Sequence, residues 1–406
     1  MTAETVRELP LQRGGNRLHP RLPLDDLAGS PERLIAFRYP NGVAGYLTTT
    51  AEDFRAILND PRFHAKRFLG EPQASPVSVS VPDMPGFIPS MNGPEHLRVR
   101  RLAAGDFSVK HIRGLRPRIE AVVRQHLDEV ERHGPPVDLY AEYCLPIPSE
   151  VIAGILGVPT DRTEEFQVAA RLTIGGLPDK LADPDAPSRA VARLHEIIGE
   201  VIERKRKEPA DDLITRLTAA DPPLSDTEIK GLCTNLLLAG HETTATSSAI
   251  AIALLLERPD QLAAFRRHPD RVPQSVEEIV RFRTLLTDSG AGIPRVAVED
   301  VDYHGQLIRT GDWVMPSQGI ANADPKTCPR ELLDLNLERA EPLAHLSFGF
   351  GPHTCLGQHL AREELQVILW EVFERFPSLA PMVPMNELPW LEQGFGYRMA
   401  ELPVRW

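Results

Sequence analysis

The sequence predicts a mainly α-helical domain that carries small β-sheets, and three observations predict it. From Pro94 onwards apolar residues recur at helical spacing in one segment after another. A capping box, Ser225-x-x-Glu228, opens an apolar run that lasts to about Arg258, just before Pro259. Between 293 and 321 the pattern changes to β-type stretches separated by glycine-containing turns.

In chain order, residues 1 to about 50 are rich in Pro, Gly and Arg and weakly periodic; 1–30 reads as an irregular segment and 31–406 as one domain. Ala51 to Leu58 forms a short helix that stops before Asp60-Pro61. Residues 70–90 hold prolines and glycines with few helix signals, and a loop this long is functional or disordered. Helical patterns follow over 94–108, 112–132, 138–156, 161–175, 187–207 and 210–219. The run from Ser225 to about Arg258 is then a helix roughly 50 Å long at about 1.5 Å per residue, enough to cross the domain. Helices at 259–268, 273–284 and 356–375 complete the set. Arg295-Val-Ala-Val, Val301-Asp-Tyr and Trp313-Val-Met have strand composition, and 377–406 reads as short strands.

A chain of 406 residues with 42% hydrophobic and 25% charged residues is ordinary for a globular protein and can bury a bulky cofactor. The formal net charge is −12 and no Lys/Arg-rich block occurs, which excludes a nucleic-acid partner. Cys144, Cys233, Cys328 and Cys355 are widely spaced, which argues against a disulfide framework and a zinc site and fits a reducing cytoplasm. The first residues lack the apolar core of a signal peptide. No run of about 18 uncharged apolar residues exists, so no membrane span is expected.

The chemistry concentrates at four places. The first is His345 to Arg362, His-Leu-Ser-Phe-Gly-Phe-Gly-Pro-His-Thr-Cys-Leu-Gly-Gln-His-Leu-Ala-Arg. A cysteine just ahead of a helix meets unpaired N–H groups and the positive end of the helix dipole, both of which favour a thiolate. Glycines 349, 351 and 357 let the backbone approach something flat and bulky. A lone cysteine of this kind also fits a buried structural residue. The whole string Phe348-Gly-x-Gly-x-His-x-Cys-x-Gly357 is more specific and resembles the haem-binding signature of the cytochrome P-450 family, the haem-thiolate monooxygenases.

That resemblance implies a triangular helical domain with haem b between the long central helix and the helix after the cysteine. It makes Cys355 the axial ligand of the haem iron, directs His353 to a propionate and packs Phe348 beside the thiolate; Gly349 and Gly357 belong to the same cofactor-binding loop. The second place is Ala239-Gly240-His241-Glu242-Thr243-Thr244, residues poorly suited to the interior of an apolar helix. By themselves they fit a solvated kink or a functional opening of the helix. The run is similar to the family's oxygen-activation motif, which implies that Thr243 hydrogen-bonds dioxygen and Glu242 relays protons.

The third is Glu278-x-x-Arg281, which alone reads as a surface ion pair. Its place matches the family's Glu-x-x-Arg motif, where the pair is buried and joined by a loop arginine, here Arg339. The fourth is His96, Arg100 and Arg295, which with His353 resemble the family's propionate partners; singly, each is an ordinary solvated charge. Departures are Asn92-Gly-Pro-Glu-His96 for Asp-Pro-Pro-Glu-His, Asn322-Ala-Asp-Pro325 for Asn-Arg-Asp-Pro, and Leu335-Asn336 for Phe-Asp. None removes a group from the iron site.

The resemblance implies dioxygen as co-substrate, with one oxygen atom inserted into a small organic molecule. Electrons come from NAD(P)H through a ferredoxin reductase and a ferredoxin to a cytoplasmic, monomeric enzyme. The loop at about 70–90, Leu237, Leu238, Ala239 and Leu285-Leu286-Thr287 are expected to border a mostly apolar substrate pocket without charge clamps. Similarity to actinobacterial members points to a secondary-metabolite intermediate. Oxidative coupling or desaturation shares every motif; a peroxide-driven enzyme or a haem-thiolate sensor has no need of Glu242 and Thr243. Arg98, Arg101, Lys110 and Arg113 are the expected basic face for ferredoxin.

Overall fold

Long-range pairing organises the N-terminal part of the chain, where local periodicity is weakest. The computed structural model describes residues 6–8, 18, 27–38, 42–65, 84–173, 186–284, 294–393 and 396–406. Its strands are β1 (Arg7–Glu8), β2 (Leu34–Arg38), β3 (Ala44–Thr48), β4 (Phe63–His64), β5 (Val137–Asp138), β6 (Arg295–Ala297), β7 (Val301–Tyr303), β8 (Gln306–Ile308), β9 (Trp313–Met315), β10 (Ala380–Pro381), β11 (Trp390–Gln393), β12 (Gly396–Met399) and β13 (Pro403–Arg405). The α-helices are α1 (Ala51–Asn59), α2 (Gly93–Ala104), α3 (Val109–His133), α4 (Pro146–Leu156), α5 (Thr160–Thr173), α6 (Ala186–Lys207), α7 (Leu213–Thr218), α8 (Asp226–Glu257), α9 (Pro259–Arg267), α10 (Val272–Phe282), α11 (Gln318–Asn322) and α12 (Gln358–Arg375).

The largest sheet has the order β1-β2-β3-β9-β6-β4. β2 and β3 run antiparallel; β3 then pairs in parallel with β9, Tyr46 opposite Val314. β9 pairs with β6, Arg295 opposite Val314, so a sheet seeded near the N-terminus carries a candidate site residue. The weakly periodic stretch up to about residue 50 thus holds strands: β2 pairs with its neighbours β1 and β3, and β3 adds a partner far down the chain, β9. A second sheet has the order β10-β13-β5, and β7-β8 and β11-β12 are hairpins.

The expected helices form with shifted ends, except that 138–156 is not one helix. Tyr140–Cys144 is a π-turn and α4 begins at Pro146. Leu145 N–H reaches back to Tyr140 C=O at 2.9 Å, and Pro146 has no N–H to continue an α-ladder.

α8 begins with Ser225 as N-cap: its side chain accepts from Glu228 N–H, and the Glu228 side chain accepts from Ser225 N–H. The helix is buried on nearly every side from Ala245 to Leu255, as expected for an apolar helix at the centre of a large domain. α4, α6 and α12 pack around it. Ile152, Leu194, Leu237, Ile252, Ile368 and Leu369 belong to one continuous core. Among the described residues no helix is long and apolar enough to cross a membrane.

Candidate active site

The chain before α12 turns twice through left-handed glycines, Gly349 at φ 77° and Gly351 at φ 70°. A Cβ on Gly351 would stand 2.9 Å from the Leu58 carbonyl oxygen, so the loop rests directly on the end of α1. Cys355 N–H closes the loop on Phe348 C=O at 2.8 Å. Cys355 is open toward an internal cavity and otherwise surrounded by protein. Burial pushes its thiol up; the Gly357 N–H and the charges of Arg100 and Arg362 oppose this and do not overcome it. The helix end thus favours the thiolate, as expected, but does not outweigh burial; a coordinated metal ion is what would remove the proton.

The opposite wall is one face of α8, where Leu236, Ala239, Gly240, Thr243 and Ser247 all line the same cavity as Cys355. Thr243 Oγ1 donates to Ala239 C=O, and Ser247 Oγ to Thr243 C=O at 2.7 Å. These back-bonds satisfy the hydroxyls inside the helix, and α8 runs unbroken through the motif. The expected opening of the helix is thus not found. Ala239 lines the cavity as expected, whereas Leu237 and Leu238 do not. Leu237 is fully buried in the core, because each residue turns the helix by about 100° and Leu236 takes the cavity-facing position instead. Glu242 is half-buried and stands beside the lining face. Leu285, Leu286, Thr287 and most of the 70–90 loop lie outside the described residues; Ile88 and Pro89 at its end do line the cavity.

Histidines and arginines from three elements gather at one side of the cavity. His96 and Arg100 are one turn apart on α2, His353 comes from the cysteine loop and Arg295 from β6. The rings of His96 and His353 stack, with centroids 4.0 Å apart. Arg100 donates to Thr354 C=O, and Arg295 is buried. His96 Nε2 is buried without a partner. Burial, then the charges of Arg100 and Arg295, push that imidazole down to about 4. A buried ring nitrogen lacking a partner, beside two arginines, fits a bulky dianion, as the two propionates of haem b are.

Asn92, just before α2, accepts from Ala65 N–H at 2.8 Å and donates to Ala65 C=O at 2.9 Å. A carboxylate, as in the family's usual Asp, could make only the first of these bonds. The departure at Asn92 therefore ties α2 to the end of β4.

The ion pair expected on α10 is buried. Arg281 Nε and Nη2 bond the Glu278 carboxylate at 2.7 and 2.8 Å, and Arg339 Nη2 adds a bond at 3.2 Å. Asn336 N–H donates to the same carboxylate at 3.1 Å, and Arg281 also holds the Leu333 and Asp334 carbonyls. The lock joins α10 to the loop that leads to the cysteine.

Five further polar residues on the cavity wall were not anticipated. Asn235, Ser247, Arg283, Gln318 and Glu364 line it, and Arg283, Gln318 and Glu364 are buried. The expectation of a mostly apolar pocket without charge clamps is qualified by Arg283, a buried cation on that wall. Burial pushes the Glu364 carboxyl up to about 8 and keeps it protonated at neutral pH. The signal for Glu364 was present as a carboxylate four residues from both Leu360 and Ile368 on the apolar stripe of α12. Nothing local marked Gln318, which follows a strand by three residues.

A cysteine loop facing hydroxyl groups on a long central helix, with histidine and arginine on the cavity wall, defines a haem-thiolate protein. The family profile described as Cytochrome P-450 matches residues 185–395. Nocardicin C N-oxygenase of Nocardia uniformis subsp. tsuyamanensis is 39% identical over 92% of each chain. Mycinamicin IV hydroxylase/epoxidase of Micromonospora griseorubida is 36% identical, covering 92% of this chain and 93% of that one. The crystal structure of CYP105P1 in complex with filipin I superposes with a TM-score of 0.86 at 33% identity, covering 99% of each chain. The chain belongs to the cytochrome P-450 family: it is a haem-iron monooxygenase that takes an organic substrate, dioxygen and electrons from a redox partner.

Proposed function

We propose that Cys355 is the axial ligand of haem b and that the enzyme hydroxylates or epoxidises a secondary-metabolite intermediate. The observation that carries this reading is one cavity lined by both Cys355 and Thr243, with His353, Arg100 and Arg295 on the same wall. Bound there, the haem supplies dioxygen activation with two external electrons, placing one oxygen atom on the substrate and releasing the other as water.

The remaining work falls to the chain itself. His96, Arg100, Arg295 and His353 hold the propionates. Gly349 and Gly357 shape the loop, and Phe348 packs beside the sulfur. Thr243 Oγ1 now donates to Ala239 C=O; rotation about χ1 turns the same proton into the cavity. Glu242, half-buried beside that face, passes protons inward from solvent. Glu278, Arg281 and Arg339 keep the cysteine loop in register and take no part in proton transfer.

The substrate is mostly apolar, given Ile88, Phe107, Leu236 and Ile250 on the wall, where Gln318 adds a polar group. The names of the relatives that act on nocardicin C and mycinamicin IV support a secondary metabolite. Electrons come from NAD(P)H through a ferredoxin reductase and a ferredoxin, to a cytoplasmic monomer. Arg101, Lys110 and Arg113 are exposed and suit an acidic ferredoxin. Arg98 is withdrawn from that set, because it is paired with Glu95 and Glu228.

The test is the spectrum of the reduced, carbon monoxide-treated protein. A strongly red-shifted Soret band is expected, and Cys355→His should abolish it. A mutant that keeps the band would assign the ligand elsewhere.

A further inference from the structure

Two adjacent glutamates on α10 serve different neighbours. Glu278 closes the lock with Arg281 and Arg339, while Glu277 bonds Arg362 of α12 and His345 of the cysteine loop. The Glu277 carboxylate accepts from Arg362 Nε at 2.5 Å and from Nη2 at 3.1 Å, the two-pronged geometry that suits a guanidinium. His345 Nε2 lies 3.0 Å from the same carboxylate, and His345 Nδ1 accepts from Ser347 N–H at 3.3 Å. With Nδ1 as acceptor, Nε2 carries the proton and donates to Glu277.

Arg362 stands over the Phe348 ring, 4.2 Å from its centroid, a cation–π contact. Its charge is felt at Cys355, where it favours the thiolate. Burial raises the Glu277 carboxyl, but the bonds from His345 and Arg362 outweigh it and hold the group down at about 2. Glu277 is therefore an anion throughout the neutral range. It lies one residue from the lock and takes no part in it.

We propose that Glu277 is a positioning residue that sets the reduction potential of the haem–thiolate centre. It fixes the Arg362 cation on Phe348 and offsets part of that cation's charge at the sulfur. The inference rests on Cys355 being the axial ligand. A positive charge beside a centre that gains an electron favours the reduced state, and a paired negative charge opposes it. The side chains of Arg362 and Glu277 are 23% and 26% exposed, so solvent screens the pair and the effect is a graded shift.

Spectroelectrochemical titration of the holoenzyme tests this with opposite signs. Glu277→Gln leaves the cation uncompensated and should raise the ferric/ferrous potential. Arg362→Gln leaves the anion uncompensated and should lower it, and the double variant should return close to wild type. A merely structural role would move both single variants in one direction or neither, and either result overturns the proposal. If Glu277→Gln does not retain haem, Arg362→Gln decides alone: an upward or absent shift refutes the idea. A wild type without the red-shifted carbon monoxide band would instead sink the assignment of Cys355. A normal band with unmoved potentials sinks only the role of Glu277.

Discussion

The two walls of the cavity are built on different principles. On the cysteine side, α10 and α12 hold the loop with a buried carboxylate bonded to Arg281 and Arg339 and a second carboxylate bonded to Arg362 and His345. Both carboxylates have opposite charges within hydrogen-bond reach. On the α8 side Thr243 and Ser247 carry hydroxyls that bond their own helix, Thr243 to Ala239 and Ser247 to Thr243. These bonds are local and easily exchanged for bonds to a ligand. The difference teaches that one wall is made to stay still and the other to rearrange its protons.

The largest effect should come from breaking the still wall. Glu278→Ala strands Arg281, which is 4% exposed, and losing one partner of a buried pair costs roughly 3–5 kcal/mol. That is a large part of the roughly 5–15 kcal/mol that holds a typical domain. Mostly apo or insoluble protein is expected, measured as haem per chain and melting temperature. A stable, haem-replete variant would show that the lock contributes little.

Thr243→Ala breaks the other wall without unfolding it. The lost bond is local to α8, so haem content should be unchanged. The expected failure is in steering protons: severalfold more peroxide released per NAD(P)H consumed. An unchanged ratio with full product yield would remove Thr243 from proton delivery.

Glu364 sharpens the comparison, because it is an acid from the still wall with no countercharge. It is held protonated up to about pH 8, against an ordinary value of 4.5. Between those values the folded state binds more protons than the unfolded state, so stability falls as pH rises across that window. The contribution is fully present below pH 4.5 and gone once the pH has passed about 8. Glu364→Gln should flatten the fall, which for one buried group reaches at most about 1.4 kcal/mol per pH unit. Parallel melting curves for both proteins from pH 5 to pH 8 would contradict the buried neutral acid.

The smallest effect concerns neither wall but the route of electrons to the still one. Charge reversal at Arg101 or Lys110, both exposed, should slow ferredoxin-dependent reduction a few-fold at low salt and flatten its dependence on ionic strength. Substrate affinity should not change. Wild-type rates at low salt in both variants would move the docking face.

The chain announces its local features. The capping box at Ser225, the glycine turns before Cys355, the four-residue spacing of His96 and Arg100, and the three-residue spacing of Glu278 and Arg281 all reappear in the structure. Each depends on residues within one turn or one loop, so a linear pattern can report it. The triad with Arg339 was legible only through family resemblance, since its members lie 61 residues apart.

What only the tertiary structure decided has a common physical reason: it depends on which distant segments share a boundary. The β2–β3 pair joins the largest sheet because β9 offers its edge to β3. Leu237 faces the core and Leu236 the cavity because α8 is enclosed on its other sides by α4, α6 and α12. Arg283, Gln318 and Glu364, from three separate elements, meet one cavity only after the core has formed. Burial then pushes the Glu364 carboxyl up, and paired charges hold the Glu277 carboxyl down. The sequence by itself determined which residue types could do chemistry here; packing decided which of them meet, and burial and neighbouring charge decided their protonation.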